Sequence, residues 1–433
     1  MATIKIILVR NEGERLEVVR FPSGYLELVL DVDADSALEG IRRHFYEHWG
    51  LKVHALRWLF PEDFVISGNA LQSPFLVVYV ESSGAVPTDS FENQSGTLSE
   101  HTKDLCPYLT AAVTPYDSES WSQPNWLPNT STWILAHFHG TRGISQVRTC
   151  PNGAVVRIDC VNGTYYLKTQ LEPLAYESAL LGILNHHIPG ACPRVLPIRP
   201  DLNTHVTEGI TGSPLDTQGS SHVWPAVLRD VARIQIEAAD VVSELCHAGV
   251  PHHGVAALGT GIAAMLDSVI ASQIGSPNEL TAEEVRKVSS LISKTLPDFE
   301  SLYRSDLPDT LVHGDLNRSN AFRTETGGTV LIDWALSRIT HPFFILGSAL
   351  FGPCASSQRK QPDYDDLCNA YLDPWLDFQA YDRLRAALDA ASRLFWIDST
   401  IAVSFLSQPG HVRYLANLPR FLRATLRAYE LVA

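Results

Sequence analysis

The chain has 433 residues, of which 45% are hydrophobic and 19% charged, a globular composition that excludes a disordered protein. This length exceeds one ordinary compact core, so two or three domains are expected. The formal net charge of −15 argues against general affinity for nucleic acid or an anionic membrane, and the sequence lacks the run of about 18 apolar residues that predicts a membrane span.

The first 85 residues predict a small α/β domain. Residues 4–9 and 16–21 alternate as strands, residues 36–49 have helical periodicity, and residues 75–80 form a continuous apolar strand. Residues 86–140 are rich in Ser, Thr, Pro and Asn and predict a linker with a connecting helix. The early acidic residues are unlike a signal peptide, and the seven scattered cysteines lack CxxC spacing, which predicts free thiols and a cytoplasmic protein.

The segment 141–210 predicts a sheet-rich lobe. Residues 146–150, 155–160 and 165–169 alternate as three antiparallel strands with turn residues between them, and a helix is expected from Pro173. Residues 211–433 predict a large helical lobe, interrupted by a strand-loop-strand segment at 311–333. A small antiparallel-sheet lobe followed by a large helical lobe is an α+β, bilobal protein-kinase-like architecture.

The helical lobe carries the strongest chemical motif. Residues 313–320 read HGDLNRSN and residues 332–334 read IDW. Phosphoryl transfer from a nucleotide needs one Asp to accept the proton of the acceptor hydroxyl. It also needs an Asn and a second Asp to hold the metal ions that bridge the phosphates. Asp315, Asn320 and Asp333 have this spacing.

At these residues the chain resembles the aminoglycoside phosphotransferase family, relatives of the protein kinases. The resemblance implies that Asp315 is the catalytic base and that Asn320 and Asp333 bind Mg²⁺. It also implies that Lys168, at the end of the third strand, reaches the nucleotide phosphates and is oriented by Glu177 in the next helix. Glu172 is the alternative partner of that lysine.

The resemblance also predicts a hinge that contacts the nucleobase. At two other places the sequence departs from the pattern of the family. Backbone groups near Glu208 and Ile210 are expected to meet the nucleobase, although any strand-to-helix turn has this pattern. The turn that covers the phosphates reads CPNGA at 150–154 and lacks the glycine-rich form of protein kinases. Ile345 stands where the family usually has the Asp that braces the catalytic loop, which predicts altered bracing.

The N-terminal domain resembles a degenerate Nudix domain. Arg43, Glu47, Gly50 and Leu51 match the Nudix box, but His44 and His48 replace two metal-binding glutamates, and Gly24 is too far upstream. Loss of two anionic ligands weakens a site for a hard cation, so hydrolase activity is not expected. An unrelated small α/β domain is the alternative.

The sequence therefore predicts an enzyme that moves the γ-phosphate of ATP or GTP to a hydroxyl group of a small molecule. Candidate acceptors are aminoglycosides, amino alcohols, nucleosides and other natural products. The main alternative is a catalytically weak, kinase-like nucleotide-binding regulatory or scaffold protein, which Ile345 favours. A protein kinase is disfavoured because a DFG-type activation segment and a glycine-rich loop are not found.

Overall fold

A computed structural model describes most of the chain, in ranges separated by gaps. The described residues are 2–12, 15–18, 26–30, 37–49, 51–59, 75–81, 120–150, 152–196, 203–215, 220–255, 262, 266–267, 270–271, 279–347, 364–404 and 412–429. The chain divides into two compact units. The first comprises Met1–Glu172 and Leu196–Gly209, and the second comprises Pro173–Val195 and Ile210–Ala433. The domain boundaries predicted at residues 85, 140 and 210 stay predictions.

The first unit begins with a five-stranded sheet and one helix. Its elements are β1 (Ala2–Glu12), β2 (Arg15–Val18), β3 (Leu26–Leu30), α1 (Ala37–Trp49), β4 (Val53–Leu59) and β5 (Phe75–Val80). The sheet order is β2-β1-β5-β4, and β3 also pairs with β1. Ile41 and Phe45, four residues apart on α1, pack on alternate strand residues such as Ile6 and Val78 because these two periods bring one apolar face of each element together.

A second five-stranded sheet completes the first unit. Its elements are α2 (Trp126–His137), β6 (Thr141–Cys150), β7 (Gly153–Cys160), β8 (Gly163–Gln170), β9 (Val195–Leu196) and β10 (Thr204–Glu208). The strand order is β6-β7-β8-β10-β9. Ile134 of α2 packs against Val156, Ile158 and Leu167, so the helix covers one face of this sheet. The three antiparallel strands predicted from sequence are observed and are each longer than predicted.

The second unit is mainly helical. Its elements are α3 (Glu177–His187), β11 (Gly212–Pro214), α4 (Trp224–Ala239), α5 (Val242–His247), α6 (Ala282–Arg304), β12 (Thr310–Val312), β13 (Ala321–Thr324), β14 (Thr329–Leu331), β15 (Arg338–Thr340), α7 (Tyr364–Leu372), α8 (Tyr381–Ser404) and α9 (Val412–Ala428). Two small sheets, β11-β13-β14 and β12-β15, interrupt the helices. One apolar core connects α3, α4, α6, α7, α8 and α9 to these strands.

One predicted boundary is wrong. The helix expected from Pro173 begins at Glu177, because Pro173 lies in a separate 3-10 turn at Glu172–Leu174. Glu177 is therefore the first residue of α3 rather than one turn inside it. Among the helices that the structure describes, none has the length and apolar character to cross a membrane.

Candidate active site

The HGD segment is a loop that leaves a buried strand. The side chains of β12 are buried, and Gly314 follows with φ +83°, in the left-handed region that glycine tolerates. A Cβ atom on Gly314 would lie 2.0 Å from the carbonyl oxygen of Leu336. The glycine therefore allows the loop to turn directly against the Leu336 backbone.

Gly314→Ala is expected to inactivate the protein and to destabilise it. The left-handed conformation alone costs about 1–2 kcal/mol for a residue with a Cβ, and the clash with Leu336 must be relieved by moving the loop. Turnover and thermal unfolding measure the two effects. Gly182→Ala in α3 is the matched control, because a Cβ there meets open space and raises helix propensity by up to about 1 kcal/mol. Equal activity of Gly314→Ala and the wild type would contradict this account.

His313 orients the loop and is not a proton-transfer group. It is fully buried, its Nε2 lies 2.8 Å from the carbonyl oxygen of Ile332, and the amide of Asp315 donates to its Nδ1 at 3.3 Å. One ring nitrogen must therefore donate and the other accept, which defines a neutral ring protonated at Nε2. Burial lowers the pKa of His313, in agreement with this neutral form.

Two side-chain amides hold the Asp315 carboxylate. Asn317 donates to Asp315 Oδ1 at 3.2 Å, and Asn320 donates to Asp315 Oδ2 at 3.1 Å. Asn320 also donates to the Asp315 carbonyl oxygen at 2.9 Å. These bonds use the amide nitrogen of Asn320, so its Oδ1 is the side-chain atom that could bind a cation.

Asn317 was not predicted from the sequence. Its Oδ1 accepts from the amides of Ser319 at 2.9 Å and Asn320 at 3.1 Å, so it caps the 3-10 turn Arg318–Asn320. Its amide nitrogen reaches back to Asp315. An Asn directly before a short turn is the local signal that could have identified this role.

Asp333 lies close enough to Asp315 for its negative charge to raise the pKa of Asp315. Asp333 follows β14 and has φ 63° and ψ 58°, an uncommon left-handed conformation for a residue with a side chain. The amide of Ile332 donates to the Asn320 carbonyl oxygen at 3.0 Å, which joins the two halves of the motif. The structure thus brings together Asp315, Asn320 and Asp333, and their roles as base and metal ligands stay predictions.

The Asp315 carboxyl is a stronger base than an exposed aspartate. Burial raises its pKa, and the charge of Asp333 raises it further, whereas the hydrogen bonds from the amides of Asn317 and Asn320 offset this rise in part. A raised pKa brings a general base closer to the pH at which it operates.

The pH dependence of turnover is expected to report this shift. Asp315 accepts a proton only when ionised, so kcat/KM should fall as the pH decreases through its raised pKa. The midpoint is therefore expected above the range of an ordinary aspartate. A pH–rate profile measures it, and a profile that stays level down to the ordinary aspartate range would contradict the prediction.

The remaining predicted residues lie in both units. Lys168 is a half-buried residue of β8, opposite His205 and Val155, and Glu208 ends β10; both belong to the first unit. Glu177 and Ile210 belong to the second. Glu177 is 1% exposed, and its negative charge opposes in part the lowering of the His313 pKa by burial. The pairing of Lys168 with Glu177 and the nucleobase contacts stay predictions.

Ile345 is a core residue, and other side chains hold the loop. Ile345 is 3% exposed and belongs to the apolar core of the second unit. The Tyr176 hydroxyl donates to the carbonyl oxygens of Ala335 at 2.6 Å and Ser337 at 2.9 Å, and Ser337 Oγ donates to the His313 carbonyl oxygen at 3.4 Å. These contacts were not predicted from the sequence, because they join residues up to 161 positions apart.

A buried ion pair stands behind this network. Arg338 Nε donates to Asp398 Oδ1 at 3.2 Å, Arg338 Nη2 donates to Asp398 Oδ2, and both side chains are at most 3% exposed. Arg338 Nη1 lies 3.1 Å from the position that a Cβ of Gly314 would occupy. The ion pair therefore fixes β15 against α8 directly behind the catalytic loop.

The donor set at Asn320 and Asp333 fits a magnesium ion that is bound mainly through a nucleotide. Mg²⁺ retains several waters and binds through one or two protein oxygens together with phosphate. One amide oxygen and one carboxylate match that requirement. The part of the chain that the structure describes has no group of three or more His, Cys, Asp or Glu residues placed to hold a metal by themselves.

Comparison with known proteins identifies the class. The family model described as the phosphotransferase enzyme family matches residues 152–390, which is more than half of the chain. The chain belongs to this family. The resemblance inferred from HGDLNRSN and IDW is thereby confirmed, whereas the comparisons lend no support to the Nudix resemblance of the N-terminal domain, which stays a prediction.

Several solved structures are distantly similar to the chain. The macrolide 2′-phosphotransferase of Brachybacterium faecium has 15% identity and a TM-score of 0.47, covering 68% of this chain and 98% of that one. The choline kinase of Streptococcus pneumoniae has 13% identity and a TM-score of 0.46, covering 70% and 99%. The ethanolamine kinase of Plasmodium vivax has 12% identity and a TM-score of 0.47, covering 77% and 95%. No curated protein matches the chain.

Proposed function

We propose that this member of the family transfers the γ-phosphate of ATP or GTP to a hydroxyl group of a small molecule. The observation that carries the proposal is the geometry of Asp315. Its carboxylate accepts hydrogen bonds from the side-chain amides of Asn317 and Asn320, and its pKa is raised. This arrangement suits a base that must meet a hydroxyl beside a metal-bound phosphate.

Each residue has a defined task in this proposal. Asp315 accepts the proton of the acceptor hydroxyl as that oxygen attacks the γ-phosphorus, and the bond to the bridging oxygen of the nucleoside diphosphate breaks. Asn320 and Asp333 hold Mg²⁺, which neutralises charge on the phosphate oxygens when it is bound. Lys168, oriented by Glu177, contacts the α- and β-phosphates, and backbone groups near Glu208 and Ile210 contact the base.

A catalytically weak nucleotide-binding protein is the second candidate. Ile345 favours it, because an apolar side chain replaces a carboxylate that braces the loop in the family. The hydrogen bonds from Tyr176 and Ser337 supply other bracing and favour the enzyme.

Nucleotide consumption separates the two candidates. The full chain is incubated with Mg²⁺ and ATP or GTP and with aminoglycosides, macrolides, amino alcohols, nucleosides or sugars, and phosphorylated acceptors are detected by mass spectrometry. The proposal expects one acceptor class to accelerate consumption and to gain one phosphate. Nucleotide binding without turnover on any acceptor would favour the regulatory protein.

A further inference from the structure

The N-terminal sheet and the second sheet of the first unit are in contact through β4 and β6. In the described part of the chain, β4 pairs only with β5, and β6 pairs only with β7. Each strand therefore has one edge whose backbone groups lack a strand partner. Both ladders are irregular at this point, with register shifts between Ala55 and Arg57 and between Gln146 and Arg148.

The side chain of Gln146 on β6 binds the backbone of β4. Its Nε2 donates to the carbonyl oxygen of Ala55 at 2.9 Å, and the Ala55 amide donates to its Oε1 at 3.1 Å. Gln146 is 6% exposed and Ala55 is 5% exposed, so these bonds are shielded from water. One side chain thus satisfies both backbone groups of Ala55 at the bulge, and its loss would leave a buried donor and acceptor without partners.

The same contact continues toward the end of β6. Thr149 is 4% exposed and donates from Oγ1 to the Leu56 carbonyl oxygen at 3.0 Å. Trp121, which is 2% exposed, donates from Nε1 to the carbonyl oxygen of Cys150 at 3.1 Å. Cys150 is the last residue of β6, so both bonds hold the strand where it enters the connection to β7.

The start of β7 is held from the other side. The amide of Leu171 donates to the Asn152 carbonyl oxygen at 3.0 Å, and a Cβ on Gly153 would lie 2.1 Å from the Thr169 carbonyl oxygen. The described residues on the two sides of the β6–β7 connection, Cys150 and Asn152, are therefore each held by a hydrogen bond. A backbone fixed on both sides has little freedom to adjust to a ligand.

We propose that the N-terminal α/β segment is a brace that sets the position of the β6–β7 connection for nucleotide binding, with Gln146 and Thr149 as its positioning residues. This inference rests on the proposed function and on the family resemblance, which implies that the turn at residues 150–154 covers the nucleotide phosphates. In this proposal the N-terminal segment is a structural part of the first unit and catalyses no reaction itself.

Two nearly isosteric variants test the brace in the full chain. Gln146→Met and Thr149→Val retain the packing volume and remove the hydrogen bonds. Each is expected to raise the Kd of ATP by about five- to tenfold, as the loss of a buried hydrogen bond would, with kcat changed less than about twofold. Thr149→Ser retains the hydroxyl group and is expected to restore wild-type affinity. Hydrogen exchange is expected to be faster at residues 150–156 in both isosteric variants.

Asn185→Leu is the matched control. Asn185 also bridges two backbone groups, donating to the Pro193 carbonyl oxygen at 3.1 Å and accepting from the Val195 amide at 2.8 Å, but it lies in the second unit. This variant is expected to lose stability without faster exchange at residues 150–156. Wild-type nucleotide affinity in Gln146→Met and Thr149→Val would overturn the inference. A wild-type chain that binds no nucleotide would overturn the proposed function instead. Hydrogen exchange at residues 150–156 would then test the brace. Faster exchange in Gln146→Met and Thr149→Val would support it, and unchanged exchange would overturn it.

Discussion

Asp315→Asn is expected to lower kcat by about 10²- to 10⁴-fold, the contribution of a positioned general base. The substitution preserves size and shape, but an amide cannot accept the hydroxyl proton. The amides of Asn317 and Asn320 would also meet a neutral group where they now bind a carboxylate. Nucleotide affinity is expected to change much less, because Asp315 is assigned no contact with the nucleotide.

Steady-state kinetics with the acceptor found in the panel measures this effect. Asp382→Asn is the control, since Asp382 is an exposed residue in the first turn of α8. Turnover of Asp315→Asn within tenfold of the wild type would show that another group, or solvent, takes the proton. Asn317→Ala is a useful companion, because it removes one orienting bond and leaves the carboxylate in place.

Asp398→Ala is expected to reduce the free energy of unfolding by about 3–5 kcal/mol. The substitution leaves the buried guanidinium of Arg338 without its counter-charge, and an uncompensated buried charge is strongly destabilising. Replacement of both partners, Arg338→Met with Asp398→Leu, is expected to recover most of that loss, because the desolvation cost of both ions disappears.

Denaturant unfolding followed by tryptophan fluorescence measures these differences. Asp365→Ala is the control: Asp365 pairs with Arg385 at 3.0 Å but is 72% exposed, and such surface pairs contribute about 1 kcal/mol or less. Equal stability losses for Asp398→Ala and Asp365→Ala would contradict the assigned role of burial. Arg338 borders Gly314, so a lower kcat is also expected for Asp398→Ala under conditions in which the variant remains folded.

The catalytic motif could be predicted from the sequence because its residues lie close together along the chain. Asp315 and Asn320 are five residues apart, and their hydrogen bond follows from a short turn after a buried strand. Asp333 ends the hairpin that begins immediately after Asn320. The three antiparallel strands of the sheet lobe and the helical character of residues 211–433 followed from periodicity for the same reason, whereas the short strands β11 and β15 were not predicted.

The features that were missed depend on distant residues or on competition between local signals. Tyr176 reaches Ser337 across 161 positions, and Arg338 reaches Asp398 across 60, so neither contact leaves a pattern in a short window. Pro173 is a typical first residue of a helix, but here it occupies a 3-10 turn and α3 begins later. Periodicity alone does not reveal which strand edges will face each other.

The double contact of Gln146 with Ala55 also affects solubility. A strand edge with unpaired backbone groups can pair with a strand of another molecule, and such pairing leads to aggregation. In the first unit, β4 presents such an edge, and the side chains of Gln146 and Thr149 on β6 bind the backbone groups of Ala55 and Leu56 there. These bonds are expected to protect the edge of β4 from intermolecular strand addition.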